Sequence, residues 1–200
     1  MKPRQGAGFC GIYAVLDVTG FDIADVRLVE TVAFGDERGS FAEFYNAAEM
    51  AEAGIHDTFV QDNLSVSKAA GVLRGLHFQV PPRAQAKLIR VLRGSIRDVI
   101  VDIRKDSATF GQHLTFELSA ENRRMLYIPV GFAHGLLTLE PDTEVLYKMS
   151  DFYARDLEGG ILWNDPALGI DWGLESDPEV IADRDRDFPK LADVAPVLPF

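Results

Sequence analysis

A single cysteine, Cys10, stands in a chain of 200 residues. No intrachain disulfide can form, and a reducing, cytoplasmic setting is expected. No apolar run approaches the ~20 residues that a membrane-spanning helix needs. Basic residues are scarce beside acidic ones, 20 against 31, which leaves a formal net charge of −11. A nucleic-acid surface relies on clustered Lys and Arg, and this balance argues against one. A few converging cations can still hold a small anion. The chain has no internal repeat, no low-complexity tract and no linker that would divide it. The N-terminal stretch MKPRQGAGFCGIYAVL carries two basic residues and then an apolar patch broken by Gly and Cys. It lacks a clear cleavage site and reads as an ordinary extension over residues 1–20, ahead of one domain over 21–200.

Apolar residues make up 47% of the chain, which places it among globular proteins. The 13 Phe and 17 Gly favour sheets and turns. Short runs rich in Val, Ile, Leu and Phe recur at 26–32, 72–79, 88–92, 96–103, 113–118, 124–128, 135–139 and 144–149. Gly, Pro, Asn and Asp punctuate them, and each run is expected to be a strand. Residues 46–52, NAAEMAE, are good helix formers. Many short strands at close spacing predict an all-β sandwich or barrel. From about Asp151 onward Gly, Asp and Pro are frequent, and loops with short helices are expected to pack on the barrel.

Four histidines are present. His113 alternates with Leu114, Phe116 and Leu118, which puts it on the polar side of its strand. His56 falls in an expected loop. His77 and His134 differ, because both sit in apolar segments. In VLRGLHFQ, period two groups Leu73, His77 and Gln79 on one face, and Val72, Arg74, Leu76 and Phe78 on the other. His77 therefore points into an enclosed space as a packed core residue, a metal ligand or a base. A His-x-His pair would aim two ligands at one cavity, but here the second position is Gln79, a poor metal ligand. The base reading needs partners. Lys87 shares a face with Ile89 and Val91 in the next strand, and Asp98, between Ile96 and Ile100, is a candidate counter-ion. Tyr147 shares a face with Val145 and Met149. It is either a packed aromatic with a bonded hydroxyl or the acid of a His–Lys–Tyr set.

At these segments the sequence resembles the dTDP-4-dehydrorhamnose 3,5-epimerases, cupin-fold enzymes of dTDP-L-rhamnose synthesis. The resemblance rests on FGDERGSFAEFY (34–45), FVQDNLSVS (59–67), GVLRGLHFQVPP (71–82), DVIVDIRKDSATFG (98–111), LSAENRRMLYIPVGFAHG (118–135), EVLYK (144–148) and GILWNDPALGIDW (160–172). They run in family order over about residues 25 to 190. The second cupin motif, P-x-G-x-x-H, stands as Pro129, Gly131 and His134. The first is reduced to His77-x-Gln79, as in these metal-free epimerases. The resemblance implies a cupin-type jelly-roll barrel, no cofactor and a dTDP-linked 4-keto-6-deoxy sugar as substrate. It also implies a homodimer in which an N-terminal strand pairs into the partner's sheet.

The implied chemistry removes the acidic hydrogens at C3 and C5, which flank the ketone, and returns them from the opposite ring face. His77 would be the base, Tyr147 the acid and Lys87 the cation that stabilises the enolate. An aspartate near the C-terminus would support His77; Asp185 aligns best, with Asp183 and Asp187 as competitors. Arg38, Glu43, Gln61, Asp62, Asn63, Arg74, His134, Glu158 and Arg184 would bind the nucleotide sugar, and Tyr153 would stack on the base. Arg38 and Glu43 are expected from the neighbouring subunit. Strict alternation sets Arg74 opposite His77; a bulge at Gly75 or approach from the other side of the strand would reconcile the two. The departures are Ala86 and Ser40, where the family commonly has Gly and an aromatic, a tail one residue longer and the extra N-terminal residues. Three other readings stay open: a C3-only epimerase, a non-catalytic nucleotide-sugar-binding cupin and a metal-dependent cupin.

Overall fold

The computed structural model describes residues 16–23 and 25–200. Residues 1–15, including Cys10 and most of the expected extension, lie outside them. Fourteen strands follow in order: β1 Leu16–Gly20, β2 Arg27–Thr31, β3 Ala33–Asp36, β4 Gly39–Ala42, β5 Gln61–Ser67, β6 Val72–Gln79, β7 Lys87–Arg93, β8 Ser95–Asp102, β9 His113–Ser119, β10 Arg124–Ile128, β11 Phe132–Thr138, β12 Thr143–Met149, β13 Glu158–Gly160 and β14 Val180–Ile181. Three short helices are α1 Ala47–Glu52, α2 Asp183–Arg186 and α3 Leu191–Val194.

One sheet runs β1-β2-β10-β7-β12-β5, and a second runs β13-β6-β11-β8-β9, with β14 joining β6 in parallel. The strands β3 and β4 form a separate hairpin. The two large sheets face each other as a jelly roll, with short helices and an irregular C-terminal segment, as expected. Strand β1 pairs with β2 from Leu16 opposite Thr31 to Gly20 opposite Arg27. Residues 16–20 are thus part of the first sheet.

Burial explains the sequence patterns. Ile89, Val91, Leu126 and Val145 from the first sheet pack with Ile96, Ile100 and Leu136 from the second, and this is the core between the sheets. The second sheet is covered on its outer face too, where Val99, Val101 and Ile103 meet Trp163, Leu168, Trp172 and Leu191 of the C-terminal segment. A strand buried on both faces needs no polar alternation, which is why Val99, Ile100 and Val101 follow one another without a polar residue between them. The outer face of the first sheet is covered by Met50 of α1 and Ile55, packed on Leu88 and Met125. Asn46 caps α1, its side-chain oxygen accepting from the Ala48 N–H at 3.1 Å.

The end of β8 is fixed by a buried carboxylate. Asp102 accepts from the Arg104 guanidinium at 2.7 and 2.9 Å, and from the Ser107 and Thr109 hydroxyls at 2.7 Å each. Burial alone would raise its pKa, but these hydrogen bonds outweigh burial and hold it at about 2. Together they tie the 102–111 loop to the end of the strand.

Two differences from the sequence expectation bear on the site. Strand β5 is absent from the predicted strands: QDNLSVS is mostly polar and sits at the edge of its sheet, and its one short alternation turns Leu64 and Val66 outward, where both are exposed. Strand β11 begins at Phe132 rather than Gly135, because Phe132 and Ala133 pair with Asp102 and Val101.

Candidate active site

A cavity of about 540 Å³ opens between the two sheets. Its walls are β5, β7 and β12 from one sheet, β6 and β11 from the other, and the segment leading into α2.

The register of β6 decides what it presents there. His77 pairs with His134 and Arg74 with Leu136, so three steps along β6 match two along β11. This is a β-bulge, and it reverses the side-chain alternation between Arg74 and His77. Arg74, His77 and Gln79 therefore all line the cavity, whereas the side chains of Leu73, Leu76 and Phe78 are buried in the outer core, Leu73 and Phe78 also touching the cavity's rim. The face assignment by strict alternation, which grouped Leu73 with His77 and Arg74 with Leu76, is corrected accordingly. Gly75 permits the bulge. Its φ is +124°, and a Cβ there would come within 2.5 Å of the Gly135 Cα.

His77 Nε2 lies 2.9 Å from Asp185 Oδ1. The second oxygen of Asp185 accepts the Gly75 N–H at 3.0 Å, so the bulge also provides a hydrogen bond that orients the carboxylate. Arg184 Nε is 3.3 Å from Asp185 Oδ1. Burial alone would raise the Asp185 carboxyl. The His77 and Gly75 hydrogen bonds and the charges of His77 and Arg184 overcome it and hold the group below the usual carboxylate range. Among the three tail aspartates, Asp185 is the one buried against His77; Asp183 and Asp187 are exposed on the same helical turn. The His77 ring also meets the Phe188 ring edge-on, with centroids 5.5 Å apart.

Lys87 Nζ approaches the His77 carbonyl oxygen at 3.4 Å. Burial lowers its pKa to about 8, against the opposing pull of Asp98 and Glu158. At neutral pH the ammonium form still dominates. Asp98 was the candidate counter-ion of Lys87. Its charge does act on Lys87, but its hydrogen bond goes to His134, with Oδ2 2.9 Å from Nε2. His134 is buried beside Tyr147, edge-on at 6.2 Å between ring centroids, and burial lowers its pKa. Tyr147 comes from the sheet facing His77, and burial, with the charge of Asp98, raises its pKa above the usual phenol value. It holds its proton more firmly than a free phenol.

At the mouth of the cavity, the Tyr153 hydroxyl donates to Glu158 Oε2 at 2.9 Å, and Arg184 Nη1 reaches the same oxygen at 3.0 Å. Gln61 and Asn63 line the β5 wall, 2.9 Å apart through Nε2 and Oδ1. Arg74, Lys87 and Arg184 bring three cations to one concavity of an otherwise acidic chain, a distribution suited to an anionic ligand.

Three expected site residues lie outside this cavity. Asp62 alternates with Gln61 and Asn63 and faces outward, where Lys148 Nζ binds it at 2.9 Å. Arg38 is exposed at the turn of the β3–β4 hairpin and forks onto Asp36. Glu43 accepts from Asn46 Nδ2 at 3.2 Å. Three residues missed by sequence reasoning belong to the site. Ser65 lines the β5 wall with Gln61 and Asn63; reading β5 as a strand would have found it by period two. Gln85 also lines the cavity, and Phe188 buttresses His77; neither carries a local signal. Among the described residues no group of three His, Cys, Asp or Glu side chains is arranged to hold a metal ion. Gln79, at the former ligand position, spends its amide on backbone groups.

The model of the dTDP-4-dehydrorhamnose 3,5-epimerase family matches residues 20–193. Over 170 residues the chain is 53% identical to the dTDP-4-dehydrorhamnose 3,5-epimerase of Salmonella typhimurium, covering 84% of this chain and 92% of that protein. Two solved structures are similar. One is the dTDP-4-dehydrorhamnose 3,5-epimerase of Bacillus anthracis with TDP and PPi bound, at 48% identity and TM-score 0.84, covering 88% of this chain and 99% of that one. The other is the dTDP-6-deoxy-D-glucose-3,5-epimerase of Legionella pneumophila in complex with dTDP-4-keto-L-rhamnose, at 41% identity and TM-score 0.86, covering 92% and 97%. With a family model spanning most of its length and a relative identical at more than half of the aligned positions, this chain belongs to the dTDP-4-dehydrorhamnose 3,5-epimerase family.

Proposed function

We propose that this chain epimerises C3 and C5 of dTDP-4-dehydro-6-deoxy-D-glucose, giving dTDP-4-dehydro-L-rhamnose for dTDP-L-rhamnose synthesis. The observation that carries the reading is the His77–Asp185 pair, set 2.9 Å apart on one wall of a cavity whose other wall holds Lys87 and Tyr147.

Each hydrogen to be removed lies next to the C4 ketone, so the electron pair released moves onto O4. His77 takes the proton, and Asp185 fixes its tautomer and stabilises the imidazolium that forms. Lys87, charged at neutral pH, offsets the developing charge on O4. Tyr147 stands on the facing sheet and retains its proton, which suits an acid delivering to the opposite ring face. The chemistry needs no cofactor, because the ketone itself accepts the electrons.

Arg74 and Arg184 meet the diphosphate, since a planar guanidinium fork matches phosphate oxygens. Tyr153 stacks on the base, and Gln61, Asn63, His134 and Glu158 complete the contacts. Asp62 faces outward and takes no part in this chain's cavity. Arg38 and Glu43 serve a neighbouring subunit in a homodimer built by N-terminal strand exchange. The hairpin carrying Arg38 also exposes Phe41, 74% accessible in the single chain, which suits burial against a partner. One domain that begins with β1 rather than at residue 21, working in the cytoplasm, completes the reading.

The acid role of Tyr147 has a direct test. Tyr147→Phe removes the donor and keeps the ring. Inversion is expected to fall about 10²-fold or more, while exchange of the substrate hydrogens with solvent falls less. NMR of product formation and of deuterium wash-in measures the two separately, and equal loss of both contradicts the assignment.

A further inference from the structure

Three glutamine side chains bond the backbone of the turn over residues 151–154, beside the Arg83–Asp151 ion pair and the Asp151 side chain's bond to the Phe152 N–H. Gln79 Nε2 donates to the Phe152 carbonyl at 3.1 Å and also to the Arg83 carbonyl, and its Oε1 accepts the Ala154 N–H at 2.8 Å. Gln85 Nε2 donates to the Asp151 carbonyl at 2.7 Å. Gln61 Oε1 accepts the Tyr153 N–H at 3.1 Å. The backbone of each residue in the turn is thus bonded by a side chain from β5, from β6 or from the loop after β6. Gln79 is the buried member, 6% exposed, and the only one that grips the turn on both sides of Tyr153.

We propose that Gln79 is a positioning residue for the nucleotide end of the substrate, pinning the 151–154 turn so that Tyr153 stands ready at the cavity mouth. It rests on the reading of Tyr153 as the residue that stacks on the base. Tyr153 is itself half exposed; its hydroxyl bond to Glu158 fixes only the tip of the ring, and the backbone beneath sets the position of its base. An unpinned turn would have to be ordered at each binding event, which weakens affinity without touching the reacting carbons. The inference also explains why this cavity-facing strand position carries an amide. An apolar side chain would strand two carbonyls and an N–H, and a histidine has too few groups to meet all three.

The test is a double-variant cycle read by calorimetric titration with dTDP, using Gln79→Met, Tyr153→Ala and both together. Gln79→Met keeps length and loses all three bonds. It is expected to weaken dTDP about tenfold and to raise KM for the sugar nucleotide more than it lowers kcat. On the Tyr153→Ala background it should add less than about twofold, since the turn then has no ring to present. Undiminished dTDP affinity in Gln79→Met, or full additivity in the double variant, overturns the proposal. If Tyr153→Ala alone leaves dTDP affinity unchanged, the stacking reading fails, and the route through Tyr153 fails with it. Should Gln79→Met unfold at the assay temperature, Gln85→Ala removes one outer grip, and the same cycle is expected to show about a threefold, non-additive loss.

Discussion

His77→Ala removes hydrogen exchange at both C3 and C5 of the substrate, with a loss of about 10³–10⁴-fold. A single base must serve both carbons if His77 is the group that takes the protons, so the two losses should match. The physical ground is the environment of the ring. Asp185 holds Nε2 at 2.9 Å, Gly75 fixes the second carboxylate oxygen, and Phe188 meets the ring edge-on. The ring is therefore preset in one orientation before any ligand arrives, and no water need reorganise as charge develops. Alanine deletes the base and leaves Asp185 to pair with Arg184. Folding should survive, since the outer core of β6 is formed by Leu73, Leu76 and Phe78 on the other face. Deuterium wash-in followed by NMR gives the result directly. Exchange at near wild-type rate at either carbon removes His77 from the base role at that carbon.

The second large effect concerns Lys87. Lys87→Met keeps the stem and removes the charge, and kcat should fall about 10²–10³-fold through loss of the cation proposed to offset the charge on O4. The pH dependence carries the sharper information. Burial brings this lysine to about 8, and only the ammonium form stabilises an enolate. Activity is therefore full where the lysine is charged and is lost as pH rises through about 8. kcat/KM reports groups of the free enzyme, so its alkaline limb should bend there in the wild type. The residual activity of Lys87→Met should lack that limb. A bend unchanged in the variant would assign it to another group.

These roles were legible in the sequence to different degrees. His77, Lys87 and Tyr147 each share a face with apolar neighbours, and period two was enough to send Lys87 and Tyr147 inward. Arg74 defeated the same rule, because the bulge at Gly75 shifts register by one residue, and alternation carries no memory of such a shift. The supporting aspartate was ambiguous for a related reason. DRDR is one helical turn, and which of its carboxylates turns inward depends on how the tail docks, a tertiary matter. Only Asp185 is buried. Strand β5 is hard to read because its cavity face is polar and its two apolar residues, Leu64 and Val66, face outward, so Ser65 carries no signal of burial. Asp62 came in through its place in VQDN, and the pleat of that same strand turns it away from the cavity, onto Lys148.

The 102–111 loop shows the opposite case, where local chemistry alone sets structure. Asp102, Arg104, Ser107 and Thr109 lie within one short segment and satisfy one another. In the active site the two histidine–aspartate pairs join distant parts of the chain. His77 and Asp185 are 108 residues apart and His134 and Asp98 are 36 apart. Their meeting is a product of the jelly roll, which brings β6, β8 and β11 together and folds the tail back across the cavity.

Inversion of both centres beside the ketone by proton transfer leaves an isotopic trace. The most direct measurement is incubation of the purified protein with dTDP-4-dehydro-6-deoxy-D-glucose in D₂O, followed by NMR. Deuterium is expected at both C3 and C5, with the L-rhamno configuration appearing in the product. Deuterium at C3 alone would contradict the double inversion, and no incorporation at either carbon would contradict the enzymatic reading itself.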